Sequence, residues 1–325
     1  MELITGENDK GRRLDRILRK ALPECPLPLI HRLLRQGQVK INGKPAKAQD
    51  RLDSGAAIYI PSIKDTHGSA QAGSPLPSAN IIPSSVQECN FSQLEILWQG
   101  CGLLAVNKPP GLAVHGNDSL NEMVLSFLAG KTPHSLSFKP GPLHRLDKPS
   151  SGIVIFSVNI EGARMFSSLM RERKVKKTYL AVVEGAVEKE ETWTDELVRD
   201  SVRKKSFISY TNNDELKYKK VKSQPDSKTA VTKVMPLKTE NGYTLIKAEI
   251  TTGRTHQIRV QASSHGHPLA GDIKYGASIA NEKRIQGENH FPQFFLHAWR
   301  LEFLEYTIEA PPGNLYERYV QYDAW

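Results

Sequence analysis

The sequence predicts an α+β protein in which a small basic unit precedes a larger domain built on a β-sheet. Near the N-terminus, apolar residues recur at the spacing of an amphipathic helix, at Leu14, Ile17, Leu18 and Leu22. Much later, residues 229–235 and 243–250 alternate in polarity and are rich in β-branched side chains, which indicates strands. Residues 63–90 are rich in Ser, Pro, Gly and Ala without periodicity, which predicts a linker. The expected domains are therefore residues 1–62 and 91–325.

The composition is that of an ordinary soluble protein with an anionic partner. Of the 325 residues, 39% are hydrophobic and 24% are charged, which is typical of folded chains. The formal net charge is +9 and the isoelectric point is about 9.3. This excess of positive charge favours a nucleic acid as the partner, with an anionic membrane surface as the second choice.

Cysteine usage and the N-terminal sequence predict a cytoplasmic protein. Cys25, Cys89 and Cys101 form no Cys-x-x-Cys pair, which disfavours a disulfide framework and a zinc module. The N-terminus has no apolar signal core, and no stretch is apolar for long enough to span a membrane. His265 and His267 lack nearby acidic or cysteine ligands, so a turn explains them better than a metal site. Glycine loops of the Walker and dinucleotide-binding types are absent from the sequence.

The N-terminal unit is expected to contain two basic helices and a few short strands. The second helix follows Pro28, Asn42-Gly43 predicts a tight turn between strands, and residues 57–60 predict a closing strand. Residues 1–62 hold twelve Lys and Arg against seven Asp and Glu. That surplus suits a nucleic-acid-binding face, although a solvated helix surface can show it too. We expect the unit to act as a tethered module, with packing against the larger domain as the alternative.

The larger domain is predicted to contain many strands and few helices. Short apolar or β-branched runs predict strands at 94–98, 103–107, 153–156, 180–183, 229–235, 243–250 and 294–303. Apolar residues at helical spacing predict helices at 121–128 and 160–173. Residues 184–228 are expected to form peripheral strands and loops, and residues 262–275 are expected to form turns.

A single carboxylate stands out in the loop that precedes the 153–156 strand. Asp147 lies among His144, Arg145 and Lys148, and positive neighbours favour an ionised carboxylate. An ionised oxygen on a loop at a strand edge can act as a nucleophile or a base. The alternative, which this loop alone favours, is a solvated surface ion pair of little energetic weight.

A second concentration of polar side chains follows a predicted strand at residues 251–259. It supplies Arg254, His256, Gln257 and Arg259. The rigid fork of an arginine suits a carboxylate or a phosphate. For Gln257 and Arg259 the sequence allows two roles, contact with a phosphate and bracing of the loop. Together with the Asp147 loop, this stretch favours a functional site over a surface ion pair.

Six motifs in the chain resemble those of a known enzyme family. They are, in order, NKPPGLAVH, HRLDKPSSG, KTYLAVVEG, SKTAVT, TGRTHQIRVQASSHGHPLAGDIKYG and LHAWRLEF. Over about residues 94–303 the sequence is similar to the RluA-type pseudouridine synthases, and residues 1–62 resemble the S4-type RNA-binding domain. The resemblance implies a catalytic domain built on a mixed, mainly antiparallel sheet that is flanked by helices and loops. One departure is Ser150, where threonine is more usual.

The resemblance implies that the protein isomerises uridine to pseudouridine in structured RNA. In that reaction the N1–C1′ bond breaks, the uracil rotates, and C5 joins C1′. The S4 resemblance favours large-subunit (23S) ribosomal RNA as the substrate, with a tRNA or dual-specificity synthase as the alternative. The alternative that is not an enzyme is a catalytically silent RNA-binding protein of ribosome assembly. The resemblance implies no cofactor and no metal, and we expect a monomer that binds RNA and no membrane.

The same resemblance implies roles for individual residues. Asp147 is the essential catalytic carboxylate, which either attacks C1′ or assists proton removal from C2′. Tyr179 matches the active-site tyrosine that packs on the target base, and Arg254 matches the arginine that pairs with the aspartate. Arg145 matches the arginine that holds the place of the extruded nucleotide. His144 beside it is expected to bind substrate.

Overall fold

The structure is a computed structural model of the 325-residue chain. It describes residues 1–61, 94–200, 205–209, 227–277, 294–314 and 316–318. The predicted linker at 63–90 lies outside the described residues.

The N-terminal unit packs two helices on a small antiparallel sheet. Its elements are β1 (Glu2–Ile4), α1 (Leu14–Ala21), α2 (Leu27–Arg35), β2 (Lys40–Ile41), β3 (Lys44–Pro45) and β4 (Ala57–Tyr59), with the strand order β1-β4-β2-β3. The apolar stripes of both helices are buried against the sheet, as their spacing predicts. Asn42 and Gly43 both have positive φ, at +48° and +81°, as the predicted tight turn requires.

The larger domain is organised by one eleven-stranded sheet. Its strands are β5 (Glu95–Gly100), β6 (Leu103–Lys108), β7 (Gly141–Pro142), β8 (Ser151–Ser157), β9 (Lys176–Glu184), β10 (Glu191–Asp200), β11 (Lys205–Ile208), β12 (Lys228–Glu240), β13 (Tyr243–Ile250), β14 (Leu296–Phe303) and β15 (Tyr306–Glu309). The main order is β11-β10-β12-β13-β9-β14-β8-β6-β5, with β15 paired to β14 and β7 paired to β8. Every pairing is antiparallel except that of β14 with β8. The sheet is therefore mixed and mainly antiparallel.

Three helices cover the two faces of this sheet. Helices α3 (Leu120–Leu128) and α5 (Gln257–Ser264) pack into one apolar cluster, and α4 (Ile160–Arg171) packs into another. In β8, Val154 and Phe156 join the first cluster while Ile153 and Ile155 join the second. This alternation follows from the two-residue period of a strand, and it separates the two faces.

The predicted α+β class is confirmed, whereas helix α5 was not expected. The sequence predicts a loop through residue 259 and turns from residue 262. The spacing of apolar residues does not reveal this helix, because polar and apolar side chains are both buried on it. They include Gln257, Ile258, Arg259 and Gln261. A helix that is buried on all sides has no amphipathic stripe.

The N-terminal unit touches the larger domain directly. Asp9 accepts hydrogen bonds from residues 135–137, and Asn8 accepts one from the Ile160 amide. The structure therefore differs from the expected loose tether and agrees with the alternative, in which the two parts pack together. Within the described ranges, no helix is both long and apolar enough to cross a membrane.

Candidate active site

Asp147 lies in a tight loop between β7 and β8. The Ser150 amide donates to the Asp147 carbonyl at 3.1 Å and closes the turn. Gly152 follows with φ at +103°, and a Cβ there would lie 2.3 Å from the carbonyl oxygen of Ala298 in β14. Only glycine permits this approach, so β8 can pair with β14 immediately behind the loop. The Asp147 side chain is 19% exposed and is therefore accessible from outside.

Lys108, at the end of β6, connects the Asp147 loop to the segment that follows β6. Its ammonium donates to the carbonyl oxygens of Pro109, Leu112 and Lys148 at 2.9, 2.8 and 3.1 Å. These three acceptors match the three N–H donors of an ammonium. Burial lowers the pKa of Lys108 to about 8, and the Asp147 carboxylate opposes that shift. The lysine thus holds the backbone next to Asp147 in one position.

Arg259 of α5 contacts Asp147 with one edge of its guanidinium and Asp272 with the other. Its Nη1 lies 2.8 Å from Asp147 Oδ2, while Nε and Nη2 donate to the two Asp272 oxygens at 2.6 and 2.8 Å. Burial acts to lower the pKa of Arg259, but the bonds and charges of Asp272 and Asp147 outweigh it and raise the pKa. The bidentate pair fixes the plane of the guanidinium. Nη1 is consequently held in the direction of Asp147.

His256 approaches the other oxygen of Asp147, with Nε2 3.6 Å from Oδ1. Its Nδ1 lies 2.7 Å from the hydroxyl of Tyr275, which also accepts a bond from the Ser206 amide at 3.0 Å. The buried Tyr275 hydroxyl needs an acceptor for its own proton, and among the described residues Nδ1 is the acceptor within reach. Tyr275 therefore donates to Nδ1, and the ring carries its proton on Nε2, facing Asp147. Burial is the main cause that lowers the pKa of His256, which favours this neutral ring.

Tyr179 of β9 supplies a buried aromatic ring on the face of the sheet that α3 and α5 cover. The residue is 8% exposed and packs in the apolar cluster that contains Leu146 and Ala298. Burial and, second, the charge of Asp147 raise its pKa. The phenol is therefore protonated near neutral pH and lies within the field of the carboxylate.

The arrangement around Asp147 suits a reaction that needs an oriented oxygen anion. Arg259 holds Oδ2, and the Nε2 proton of His256 faces Oδ1. A carboxylate that is oriented by two N–H donors can act as a nucleophile or a general base. The protonated phenol of Tyr179 offers an aromatic face and a proton nearby.

Comparison with known proteins assigns these residues to a family. Residues 102–264 match the family described as RNA pseudouridylate synthase, and residues 12–58 match the S4 domain. The first match spans half of the chain and includes Asp147, Tyr179 and Arg259. The chain belongs to the RNA pseudouridylate synthase family. It is accordingly an enzyme, an isomerase that acts on RNA.

Relatives of this synthase match almost its whole length. "Ribosomal large subunit pseudouridine synthase C" of Salmonella typhimurium is 29% identical over 324 residues, which cover 97% of this chain and 93% of the relative. The protein of the same description from Pasteurella multocida is 30% identical over 305 residues, which cover 93% and 85%. The solved structure described as human RNA Pseudouridylate Synthase Domain Containing 4 has a TM-score of 0.58 at 24% identity, over 69% of this chain and 92% of that one. This last likeness supports the fold.

In this synthase the arginine at Asp147 is Arg259, and the expected pairing with Arg254 is wrong. Arg254 Nε donates to the carbonyl oxygen of Thr229 at 3.2 Å, and within the part of the chain that the structure describes it forms no ion pair with Asp147. The prediction placed residues 251–259 in one loop. Because α5 begins at residue 257, it carries Arg259 across to the Asp147 loop instead.

A signal for Arg259 was present in the sequence. The residue stands between Ile258 and Val260, and a charge inside an apolar run is buried only where it is paired. Gln257, by contrast, braces the loop. Its Oε1 accepts from Thr252 Oγ1 and from the Arg254 amide at 2.9 and 3.0 Å. Asp272 and Tyr275 carried no comparable signal.

His144 and Arg145, which precede Asp147 by three and two positions, have different surroundings. His144 Nε2 accepts from the Ile155 amide at 3.1 Å, so the ring takes part in holding the loop to β8. Burial, and second the charge of Lys177, lower the pKa of His144 to about 3, which makes it a neutral acceptor. The structure thus gives His144 a contact within the fold, and its contact with substrate stays a prediction. Arg145 is exposed and has no ion-pair partner within the described ranges.

Proposed function

We propose that this synthase converts uridine to pseudouridine in large-subunit ribosomal RNA, acting in the cytoplasm as a monomer. The support for this target is that the relatives matched over almost the whole chain are described as ribosomal large subunit pseudouridine synthases. The S4 match adds a second RNA-binding unit, and the net charge of +9 suits an RNA partner.

Asp147 is the catalytic carboxylate in this proposal, and its contact with Arg259 at 2.8 Å is the observation that carries it. Breaking the N1–C1′ bond needs an anionic oxygen close to the ribose. Direct attack on C1′ and proton removal from C2′ both require that oxygen to be ionised and oriented. Arg259 and His256 supply the orientation, since each presents an N–H to one carboxylate oxygen.

Tyr179 receives the target base once the nucleotide has left the RNA stack. A uracil cannot rotate while it is stacked, and extrusion costs a few kcal/mol. Stacking on an aromatic ring contributes about 1–3 kcal/mol per base and offsets much of that cost. The hydroxyl of Tyr179 stays protonated because burial and then the charge of Asp147 raise its pKa, and in this proposal it serves in proton transfer to the uracil.

Arg145 and Arg254 act on the RNA in this proposal and not on the carboxylate. The exposed guanidinium of Arg145 stands two positions before Asp147, where an extruded nucleotide would leave a gap in the RNA. Arg254 is partly exposed, and its guanidinium is suited to a phosphate.

The test is to map pseudouridine in large-subunit ribosomal RNA and in tRNA from cells with the gene, without it, and with an Asp147→Asn allele. Sites in large-subunit RNA that vanish without the gene and stay absent with the allele support the proposal. Sites that vanish only from tRNA would assign the other substrate. Full rescue by the allele would assign a role in ribosome assembly without catalysis.

A further inference from the structure

The S4 unit meets the catalytic domain through one fully buried carboxylate, that of Asp9. Its Oδ1 accepts from the hydroxyls of Ser135 and Ser137, at 2.7 and 2.5 Å, and from the Ser137 amide at 3.1 Å. Its Oδ2 accepts from the Leu136 amide at 2.8 Å and from the Gly6 amide at 3.0 Å. Burial acts to raise the pKa of Asp9, but these hydrogen bonds outweigh it and lower the pKa. The junction is therefore an ionised carboxylate that is saturated with donors.

Three further contacts surround Asp9. Asn8 Oδ1 accepts from the amide of Ile160, the first residue of α4, at 3.0 Å. Leu136 packs against the apolar core of the S4 unit. Gly6 approaches so closely that a Cβ on it would lie 1.6 Å from the His134 carbonyl oxygen. The S4 unit is thus fitted to one place on the catalytic domain.

This docking gathers positive charge from both domains at the junction. Arg12 follows Asp9 by three positions, and Arg164 lies one turn into α4 from Ile160. Burial lowers the pKa of the half-buried Arg12; the charge of Asp9 opposes that shift, and the charges of Arg164 and Arg16 add to it. Arg12, Arg16 and Arg164 have no carboxylate within ion-pair distance in the described part of the chain. Asp9 does not neutralise them fully, since both of its oxygens are engaged by other donors.

We propose that Arg12 and Arg16 of the S4 unit and Arg164 of the catalytic domain form one composite site for a phosphate group of the substrate RNA. Guanidinium groups match phosphate oxygens in geometry and charge, and a phosphate would relieve the repulsion among the three. The Asp9 junction keeps the two halves of the site together, so that one stretch of RNA backbone spans both domains. The inference rests on the proposed function only in taking RNA as the ligand.

The first experiment measures the salt dependence of binding by the full-length protein to a large-subunit ribosomal RNA transcript. Arg164→Ala is compared with Arg171→Ala, which removes an exposed arginine from the last turn of the same helix. Each lost phosphate contact lowers the slope of log affinity against log salt by about 0.7–0.9. We expect that loss for Arg164→Ala and the wild-type slope for Arg171→Ala. Equal slopes for the two variants would overturn the composite site.

The second experiment separates the domains without touching the arginines. Gly6→Ala places a Cβ against His134, while the Gly6 φ of −98° accommodates alanine within the S4 unit itself. Gly141→Ala is the matched control, because nothing lies within 4 Å of a Cβ there. We expect Gly6→Ala to lower the slope of log affinity against log salt as much as Arg164→Ala does. The Gly6→Ala/Arg164→Ala double variant should lower it no further than either single variant. A wild-type slope for Gly6→Ala, or full addition of the two losses, would show that docking does not build the site.

The failure of this inference can be told apart from failure of the proposed function. Pseudouridine formation by the wild-type enzyme is measured on the same transcript at saturating protein. Absence of product would refute this RNA as the substrate. The salt dependence of binding would still decide whether the composite phosphate site exists. Product formation together with equal slopes refutes the composite site alone.

Discussion

Arg259 Nη1 lies 2.8 Å from Asp147 Oδ2, although 112 positions separate the two residues in the sequence. Asp272 holds the other edge of the same guanidinium in a bidentate pair. The arginine is therefore oriented before any substrate arrives, and it orients Asp147 in turn. Changes at this pair should affect the chemical step more than the binding of RNA.

Replacing Asp147 by Asn should abolish isomerisation while the fold and RNA affinity are retained. The amide keeps the shape of the carboxylate but cannot act as an anion. Single-turnover product formation and equilibrium RNA binding measure the two effects separately. A rate within about tenfold of wild type, a difference of only about 1.4 kcal/mol in the barrier, would contradict the assignment.

Replacing Arg259 by Lys should slow the saturated single-turnover rate by about 10²-fold, the effect of a small misplacement of a reacting group. Lysine keeps the charge but lacks the fork that joins Asp272 to Asp147. Arg254→Ala is the comparison, because Arg254 contacts the Thr229 carbonyl and not the carboxylate. We expect Arg254→Ala to weaken RNA binding and to keep the saturated rate. The reverse order of rates would restore Arg254 as the orienting residue.

At Tyr179, two variants separate the ring from the hydroxyl. Tyr179→Phe should keep RNA affinity but slow isomerisation, because it removes only the hydroxyl, whose pKa burial and then the charge of Asp147 raise. Tyr179→Leu should also weaken the extruded state by about 1–3 kcal/mol, the contribution of aromatic stacking. RNA affinities and single-turnover rates of both variants provide the check. A wild-type rate for Tyr179→Phe would leave stacking as the whole role of this residue.

Tyr275→Phe should change how the rate depends on pH. Without the hydroxyl that donates to Nδ1, His256 can take a proton on that nitrogen more readily, so its lowered pKa should rise. A protonated His256 would bind Asp147 Oδ1 more strongly and make the carboxylate less reactive. We therefore expect the acidic limb of the single-turnover profile to move to higher pH. His256→Gln, which cannot titrate, should lack that limb, and identical profiles for all three proteins would contradict this role.

His297 should make the protein less stable in acid. Its Nδ1 accepts from Ser151 Oγ and its Nε2 donates to the Ala310 carbonyl, at 2.9 and 3.0 Å. Burial lowers its pKa to about 4, although the bond to Ala310 opposes the shift. An unfolded histidine titrates near pH 6.5, so between about pH 6.5 and 4 the unfolded chain binds a proton that the folded chain does not.

The free energy of unfolding should therefore fall as the pH is lowered through that window, by about 1.4 kcal/mol per pH unit from this residue. Denaturant titrations at several pH values measure the slope. His297→Gln should flatten it by that amount, while His144 continues to contribute in the wild-type direction. Equal slopes for wild type and variant would show that His297 binds its proton equally in both states.

The sequence by itself determined the α+β class, the family and the loop that carries Asp147. Predicted strands at 153–156 and 243–250 lie within β8 and β13, and the predicted helix at 121–128 lies within α3. These features are readable because periodicity, turn residues and motifs are local properties of the chain.

Only the tertiary structure decided which arginine meets Asp147, how His256 is protonated, and where the S4 unit sits. Each depends on a contact between distant segments, such as Asp147 with Arg259 or Asp9 with residues 135–137. Helix α5 went unrecognised for a related reason, since its buried polar side chains are satisfied by partners elsewhere in the fold and leave no amphipathic pattern. A buried charge is stable only beside its partner, and the identity of that partner is set by packing that no single stretch of sequence contains.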